Sequence, residues 1–376
     1  MDKKKTLIFL TATRADFGKL KALIHITDLS PQFDVHVFIT GMHMQTKYGS
    51  TAEEIEGCSY NNTFKFINHS TENRMDLVLS RTVEGFSAYC REIEPDLIIV
   101  HGDRVEPMAG AIVGSMNNIL VLHIEGGEIS GTIDELLRHS ISKLSHIHCV
   151  ANDKAKKRLI QMGEDQNNVH VIGSPDIDLM NSSQLPSLES VKKHYDITFE
   201  DYGILLFHPV TTELDSVPYY AQSLVEVIED SIFNYVVIFP NNDIGSSHII
   251  EAYEKIQRKS SVKIFPSVRF ESFLVLLKNA QFLLGNSSAG IRETPYYGVP
   301  SVNIGTRQFN RGNSETIIDT GYKKSEIISG IKKALTVPRK RSTTFGTGNS
   351  SQLFIELISR KEFWNLSKQK YFKDIN

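Results

Sequence analysis

The stretch LIIVHGDRVEPMAGAIVGSMNNILVLHIEGGEISG, residues 97–131, decides the fold. Leu97–Val100 is an unbroken apolar run that predicts a buried strand. Glu106–Met116 follows as a helical stretch, and Leu120–Ile124 is a second apolar run. Strand, helix and strand at this spacing form a βαβ unit and imply a parallel sheet. Asp103 stands just past the first strand and Glu125 directly after the second. Asp134, in TIDELLRHSISK (residues 132–143), opens the next helical stretch. Open parallel sheets bind ligands beyond the carboxyl ends of their strands. Acids placed there, rather than on a solvated helix face, suggest proton chemistry.

The same alternation extends in both directions. In the first half, strands are expected at Thr6–Thr11, Phe33–Ile39, Leu97–Val100, Leu120–Ile124, His148–Val150 and Val169–Ile172. Helices are expected at Asp16–Leu29, Met75–Ile93, Glu106–Met116, Asp134–Leu144 and Lys154–Met162. The polar segment GSPDIDLMNSSQLPSLES, residues 173–190, reads as a connection. Strands then resume at Ile204–His208, Tyr235–Phe239, Val262–Phe265, Phe282–Gly285 and Ser301–Ile304. Between them lie helical stretches at Pro218–Asp230, Ser247–Arg258 and Ser272–Asn279. Ser351–Lys370 reads as an amphipathic helix that packs back on the first domain. The expectation is an α/β protein with two doubly wound domains, residues 1–175 and 176–354, facing each other across a cleft, with a final helix over about 355–376.

Composition fits this plan. The chain has 376 residues, 40% hydrophobic and 23% charged, which suits a soluble globular protein of two domains. A net charge of −3 leaves no basic footprint for general nucleic-acid binding. No apolar stretch approaches the roughly 18 residues of a membrane span, and the basic-then-apolar start MDKKKTLIFL reads as a first strand, not a signal peptide. Cys58, Cys90 and Cys149 are scattered and odd in number, which points to free thiols and a cytoplasmic location. The histidines of RHSISKLSHIH, residues 138–148, match no metal spacing. Ser140 and Ser142 lack the G-x-S-x-G elbow of a serine hydrolase.

Two loops have the placement of anion sites. TATRADFGK, residues 11–19, joins the first strand to the first helix, where free N–H groups and the helix dipole favour phosphate. It is not a P-loop, since Thr13 and Leu20 stand where that motif needs Gly and Ser or Thr. Either Arg14, with Lys19, faces a ligand phosphate, or Arg14 is an ordinary surface charge and Gly18 a packing residue, and the pattern does not separate these. LLGNSSAGIRETP, residues 283–295, is the second domain's counterpart. Ser287 and Ser288 can bind an anion or merely cap a helix. Glu293, two turns in, either accepts from ribose hydroxyls or is solvated. Arg307, in NIGTRQFNRG (residues 303–312), would be a cation opposite this loop. His208 ends a strand in LLFHPVTTE (residues 205–213), where a structural role is the more ordinary one. Asn241 lies in PNNDIGS (residues 240–246), a turn that can face a ligand. Arg269, in SVRFESF (residues 267–273), sits beside an aromatic pair.

Together TRADFGKL, TGMHMQTKYG, HGDRVEPMAGA, HIEGGEISGTIDELLRHSISKLSHIH, FHPVTTE, GNSSAGIRE and GTRQ resemble the UDP-N-acetylglucosamine 2-epimerase family, over residues 6 to about 312. The resemblance is closest to the hydrolysing branch, which makes N-acetylmannosamine for bacterial sialic acid. Two features carry that. TGMHMQTKYGS occupies the place of the glutamine- and histidine-rich segment of non-hydrolysing members, and Asp134 stands where those members usually carry Glu.

The resemblance implies a GT-B fold of two Rossmann-like domains, a UDP-sugar substrate, UDP as product, no cofactor or metal, and a homodimer or homotetramer. It implies that UDP leaves by anti elimination across carbons 1 and 2, and that water then adds to the glycal. By the same resemblance Asp103 is the base for elimination, and Glu125 and Asp134 handle proton and water in hydration. Arg14, His208, Ser287, Ser288 and Arg307 contact the diphosphate, Glu293 the ribose, and Asn241 lies near the nucleotide, with Lys19 and Arg269 as further UDP contacts. An unperturbed carboxyl near about 4 is a poor proton donor at neutral pH, so at least one acid needs a raised value. The alternatives are a UDP-2,4-diacetamido-trideoxyhexose substrate, a GT-B glycosyltransferase, and a sensor that binds without turnover.

Overall fold

The computed structural model describes residues 3–49, 51–69, 74–130, 133–183, 185–308, 311 and 314–374. The chain divides into two units. The first comprises Met1–Glu128, Asp134–Asn181 and Thr344–Asn376; the second comprises Ile129–Ile133 and Ser182–Thr343.

In the first unit the chain runs β1 (Lys5–Thr11), α1 (Arg14–Asp28), β2 (Phe33–Ile39), α2 (Ala52–Glu56), β3 (Asn62–Lys65), α3 (Met75–Ile93), β4 (Leu97–His101), α4 (Val105–Met116), β5 (Leu120–Ile124), α5 (Ile133–Leu144), β6 (Ile147–Val150), α6 (Asp153–Gln161), β7 (Val169–Val171) and α7 (Pro175–Met180). The strands form one sheet in the order β3-β2-β1-β4-β5-β6-β7. The described pairings are all parallel, with Leu7 opposite Leu97 and Ile99 opposite Leu122. Successive side chains point to opposite faces of a strand, so two cores form. Leu7, Phe9, Val37, Ile99 and Leu122 face one way, and Ile8, Leu10, Phe38, Ile98 and Val121 the other.

The second unit runs α8 (Leu188–His194), β8 (Gly203–Leu206), α9 (Val217–Glu229), β9 (Tyr235–Ile238), α10 (Ser246–Tyr253), β10 (Val262–Phe265), α11 (Phe270–Asn279), β11 (Leu283–Gly285), α12 (Glu293–Tyr297), β12 (Ser301–Ile304), β13 (Ile317–Thr320) and α13 (Lys324–Ala334). Its parallel sheet has the order β10-β9-β8-β11-β12-β13. Leu205, Val237, Leu284 and Val302 form its core with Leu224 and Ile228 of α9 and Ile327 and Ile331 of α13. Both strand orders are doubly wound, and each reverses direction once, at β1/β4 and at β8/β11.

The two Rossmann-like sheets are as the sequence predicts. Three local readings need correction. The segment from Gly173 is no connection at its start: α7 lies there, with Ser174, Asp176 and Ile177 fully buried. Edge strands β3 and β13 were not anticipated, because NTFK and IIDT are too short and polar to resemble the central runs. The last helix, α14, is Ser350–Ile358 and does not reach Lys370. The Trp364 indole N–H donates to the Ile358 carbonyl at 2.9 Å, so the chain folds back into a short 3-10 turn over Lys361–Asn365. Phe354, Leu357 and Ile358 of α14 join the first unit's core.

No described helix is long and apolar enough to cross a membrane. Among the described residues no cluster of His, Cys, Asp or Glu could hold a metal ion.

Candidate functional site

In the first unit the β1/β4 reversal gathers the charged groups. Gly102 follows β4 with φ +80°, a turn suited to glycine, and Asp103 comes next. Asp103 is ion-paired with Arg138, whose side chain is 1% exposed against 23% for Asp103. The same guanidinium reaches back with Nη1 to the Glu125 carbonyl at 2.7 Å. One buried arginine on α5 therefore ties together the residues that follow β4 and β5. Glu125 itself has φ +65°, a left-handed backbone that costs a non-glycine residue roughly 1–2 kcal/mol. Such strain persists only where surrounding bonds over-determine it, and here the Arg138 bond to its carbonyl and the backbone bond from its N–H to Cys149 do so. Beneath them His123 donates from Nε2 to the Gly102 carbonyl at 2.8 Å and accepts from Ser142 at Nδ1 at 3.0 Å. Burial holds its pKa down to about 3, so it braces the turn as a neutral ring.

The Glu125 carboxylate has its own shell. Ser174 donates to Oε1 at 2.7 Å, Lys19 Nζ lies 3.6 Å from Oε1, and His101 Nε2 lies 3.2 Å from Oε2. Lys19 also lies 3.8 Å from Asp176, which is fully buried. Thus the structure turns Lys19 inward toward two carboxylates; it is not a surface charge. Asp16, the third residue of α1, forms a capping box with Thr13 and accepts from Thr11 Oγ1 and from the Ala12 and Thr13 amides at 3.0 and 3.1 Å. Burial nevertheless raises its pKa, against the lowering pull of those bonds and of His101. Behind it His43 bridges Thr11 at 3.1 Å and Thr51 at 2.6 Å, and burial depresses its pKa to about 3.

The remaining first-unit candidates stand differently. Arg14 is mostly enclosed and lies 2.8 Å from Glu54, so it too is no surface charge. Asp134 occupies the first turn of α5, one helical turn ahead of Arg138, and is half-buried. Gly131 and Thr132, which lead into it, lie outside the described residues. Glu106 and Glu135 have ordinary partners, Arg104 at 3.6 Å and His139 at 3.4 Å.

The second unit's reversal point is built around an amide side chain. Gly285 ends β11 at φ +137°, and a Cβ there would collide with the Leu206 carbonyl of β8. Asn286 can therefore clamp β8: its Oδ1 accepts from the His208 amide at 2.7 Å and its Nδ2 donates to the His208 carbonyl at 2.9 Å. The Asn241 amide donates to His208 Nδ1 at 3.1 Å, which leaves the proton of a neutral ring on Nε2. Arg307 Nη1 and Gln308 Nε2 donate to the Asn286 carbonyl at 3.3 and 3.1 Å. Ser287 caps the 3-10 turn Ser288–Gly290 by accepting from the Ala289 amide at 3.3 Å. So His208, Asn241, Ser287 and Arg307 meet around Asn286, with Ser288 beside them.

Glu293 begins α12, where two turns of preceding helix were expected, and is buried rather than solvated. Arg269 stands apart: it is exposed, and its backbone N–H donates to Tyr195 Oη at 3.0 Å. Phe309, Asn310 and Gly312 of the NIGTRQFNRG segment lie outside the described residues.

Sequence reasoning missed His101, Asp16, Ser174 and Asp176, and it places Asn286 in the second anion-type loop without its clamp on His208. His101 had a legible signal, since it immediately precedes the Gly-Asp turn. Asp16 sits three residues after Thr13, the spacing of a capping box. Ser174 and Asp176 had none, because their segment reads as linker until the fold brings it against Lys19.

Comparison with known proteins speaks to the family and the fold. Residues 27–359 match the sequence profile of the family described as UDP-N-acetylglucosamine 2-epimerase. The chain is 48% identical over 376 residues to the UDP-N-acetylglucosamine 2-epimerase of Neisseria meningitidis serogroup B, covering 99% of this chain and 100% of that protein. It is 31% identical to the hydrolysing UDP-N,N'-diacetylbacillosamine 2-epimerase of Legionella pneumophila (94% and 95% covered). It is also 31% identical to polysialic acid biosynthesis protein P7 of Escherichia coli (98% and 97% covered). Among solved structures, a UDP-GlcNAc 2-epimerase from Neisseria meningitidis bound to UDP-GlcNAc shares the fold at TM-score 0.80 and 16% identity, with 94% of this chain and 99% of that one covered. The Methanocaldococcus jannaschii enzyme in complex with UDP-GlcNAc and UDP does so at 0.80 and 21%, with the same coverage. By profile, by sequence identity along its whole length and by fold, this chain belongs to the UDP-N-acetylglucosamine 2-epimerase family.

Proposed function

We propose that this protein is a hydrolysing UDP-N-acetylglucosamine 2-epimerase that converts UDP-N-acetylglucosamine and water to N-acetylmannosamine and UDP, for sialic acid biosynthesis. The observation that carries the reading is the Arg138 tie, which fixes the residues after β4 and β5 so that Asp103 and Glu125 belong to one rigid acid–base framework. The hydrolysing character is supported by the Legionella relative and by Asp134, and the pathway by the E. coli relative's name.

Carbon 2 of the sugar bears no carbonyl, so its proton is weakly acidic and departure of UDP has to lead. In the elimination, Asp103 takes the carbon 2 proton. The electrons of that C–H bond form the double bond between carbons 1 and 2, and the bond from carbon 1 to the diphosphate oxygen breaks. In the hydration, a proton is delivered to carbon 2 and water adds at carbon 1, with Glu125 and Asp134 in those roles. Negative charge grows on the leaving diphosphate, and donors fixed in advance stabilise it best. Arg14, His208, Ser287, Ser288 and Arg307 are assigned to it, Glu293 to the ribose, and Asn241, Lys19 and Arg269 to further UDP contacts. Lys19 has a second duty, holding the Glu125 carboxylate.

A second reading keeps the chemistry and changes the sugar to a UDP-diacetamido-trideoxyhexose, favoured by the substrate in the Legionella relative's name. Both sugars, given separately to pure protein in heavy water and followed by proton NMR, test these readings. The proposal expects UDP and free N-acetylmannosamine carrying deuterium at carbon 2. Turnover of the diacetamido sugar alone selects the second reading. UDP release that depends on an added acceptor points to a glycosyltransferase, and binding without turnover to a sensor.

A further inference from the structure

His101 is buried, 7% exposed, at the end of β4, and the proposed chemistry does not use it. Its Nε2 lies 3.2 Å from Glu125 Oε2. Neither ring nitrogen has a hydrogen bond of good geometry, in contrast to His123 and His43, whose rings are bonded at both nitrogens. A buried imidazole without fixed partners is costly unless it serves a neighbour. Its charged and titratable neighbours come from three elements: Asp16 on α1, His123 on β5, and Glu125 just after β5. Lys19 joins through Glu125. The cluster holds the Lys19 cation against the Glu125 and Asp176 carboxylates, with Asp16 pushed by burial toward its protonated form.

We propose that His101 is the proton partner of Glu125. Nε2 and Oε2 face each other across 3.2 Å, and a turn of the ring that aligns Nε2–H with Oε2 lets the two share one proton, so Glu125 can accept or deliver a proton at the sugar and be reset from the ring without opening to bulk water. To deliver it, the Nε2–H bond breaks and an O–H bond forms on Oε2, and the proton then passes from Oε2 to carbon 2 of the sugar; a proton taken up by Glu125 from the adding water returns to Nε2 by the reverse transfer. His101 touches no substrate in this scheme. It acts through Glu125 and is a positioning residue. The inference rests on the proposed function, whose hydration step needs Glu125 to change protonation state.

The test compares wild type, His101→Gln and His101→Ala. Glutamine keeps a donor for Glu125 but has no proton to give. The expected result is a loss of kcat of about a hundredfold in both variants, with KM within about twofold. The wild-type pH dependence of kcat should flatten in both. Recovery of kcat and pH profile by His101→Gln overturns the proposal, because any hydrogen-bonding side chain would then suffice. Thermal unfolding checks that the variants fold. The contact itself is read without activity, from the ring N–H signals of 15N-histidine-labelled protein. A His101 ring proton protected from water exchange should be present in wild type and lost in Glu125→Ala. Its absence from wild type, or its persistence in Glu125→Ala, overturns the pairing. Failure of the wild type to release UDP from either sugar instead overturns the functional reading, and the ring signal still decides the pairing.

Discussion

The two sheets reverse at equivalent points, β1/β4 and β8/β11, and fill those points with opposite chemistry. The first unit places charge there: Asp103 with Arg138, and Glu125 with Lys19 and His101. The second places an amide clamp there, Asn286 on His208, with Arg307 and Gln308 donating to its carbonyl. Carboxylates held beside cations and an imidazole suit proton transfer. Preset donors around the His208 imidazole suit a diphosphate. The shared topology thus supplies a place for a ligand, and the side chains after each strand decide what is done there.

This contrast can be broken most directly at Asp103. Asp103→Asn is expected to lower kcat on the order of a thousandfold while UDP affinity, measured by calorimetry, changes little. A large loss of UDP affinity instead would mean that the first unit binds rather than reacts. Next comes Arg138→Met, which leaves Asp103 and the Glu125 carbonyl without their common partner. Unfolding in urea should show a loss of about 3 kcal/mol together with most of the activity. Retained stability would show the tie to be incidental.

Asn286→Ala probes the other side of the comparison. It removes two short hydrogen bonds and should cost about 2 kcal/mol of stability and weaken UDP binding about tenfold. The rate at saturating substrate should fall less than in Asp103→Asn, and a reversed order of the two variants would sink the division of labour. The smallest effect is on pH. His43 and His123 are held near 3 from an ordinary 6.5 by burial. The unfolded chain therefore takes up protons that the folded first unit refuses. Stability is full above about pH 6.5 and declines toward pH 3, by roughly 0.7 kcal/mol per histidine between pH 7 and 6. Amide-exchange protection factors in β2 and β5 should fall over that interval more than those in β8 and β11.

The sequence by itself determined the two parallel sheets, because buried strands need continuous apolar runs and the loops after them must carry the polar groups. It determined α3 to the residue, Met75–Ile93, and brought Asp103 and Glu125 to notice by position alone. Local pattern left Ser287 open between an anion contact and a helix cap, and the cap is the bond it makes. It did not suffice for polar edges or for partners. Strand β3 is written NTFK because an edge strand is half solvated, and its pairing with β2, not its own hydrophobicity, holds it. Ser174 and Asp176 read as linker because nothing nearby in sequence explains burying them; Lys19, more than 150 residues earlier, does. Only the tertiary structure decided which charge meets which. A strand reveals its own burial through its period, but the partner of a buried ion lies on another strand or helix, and its distance depends on how those elements pack.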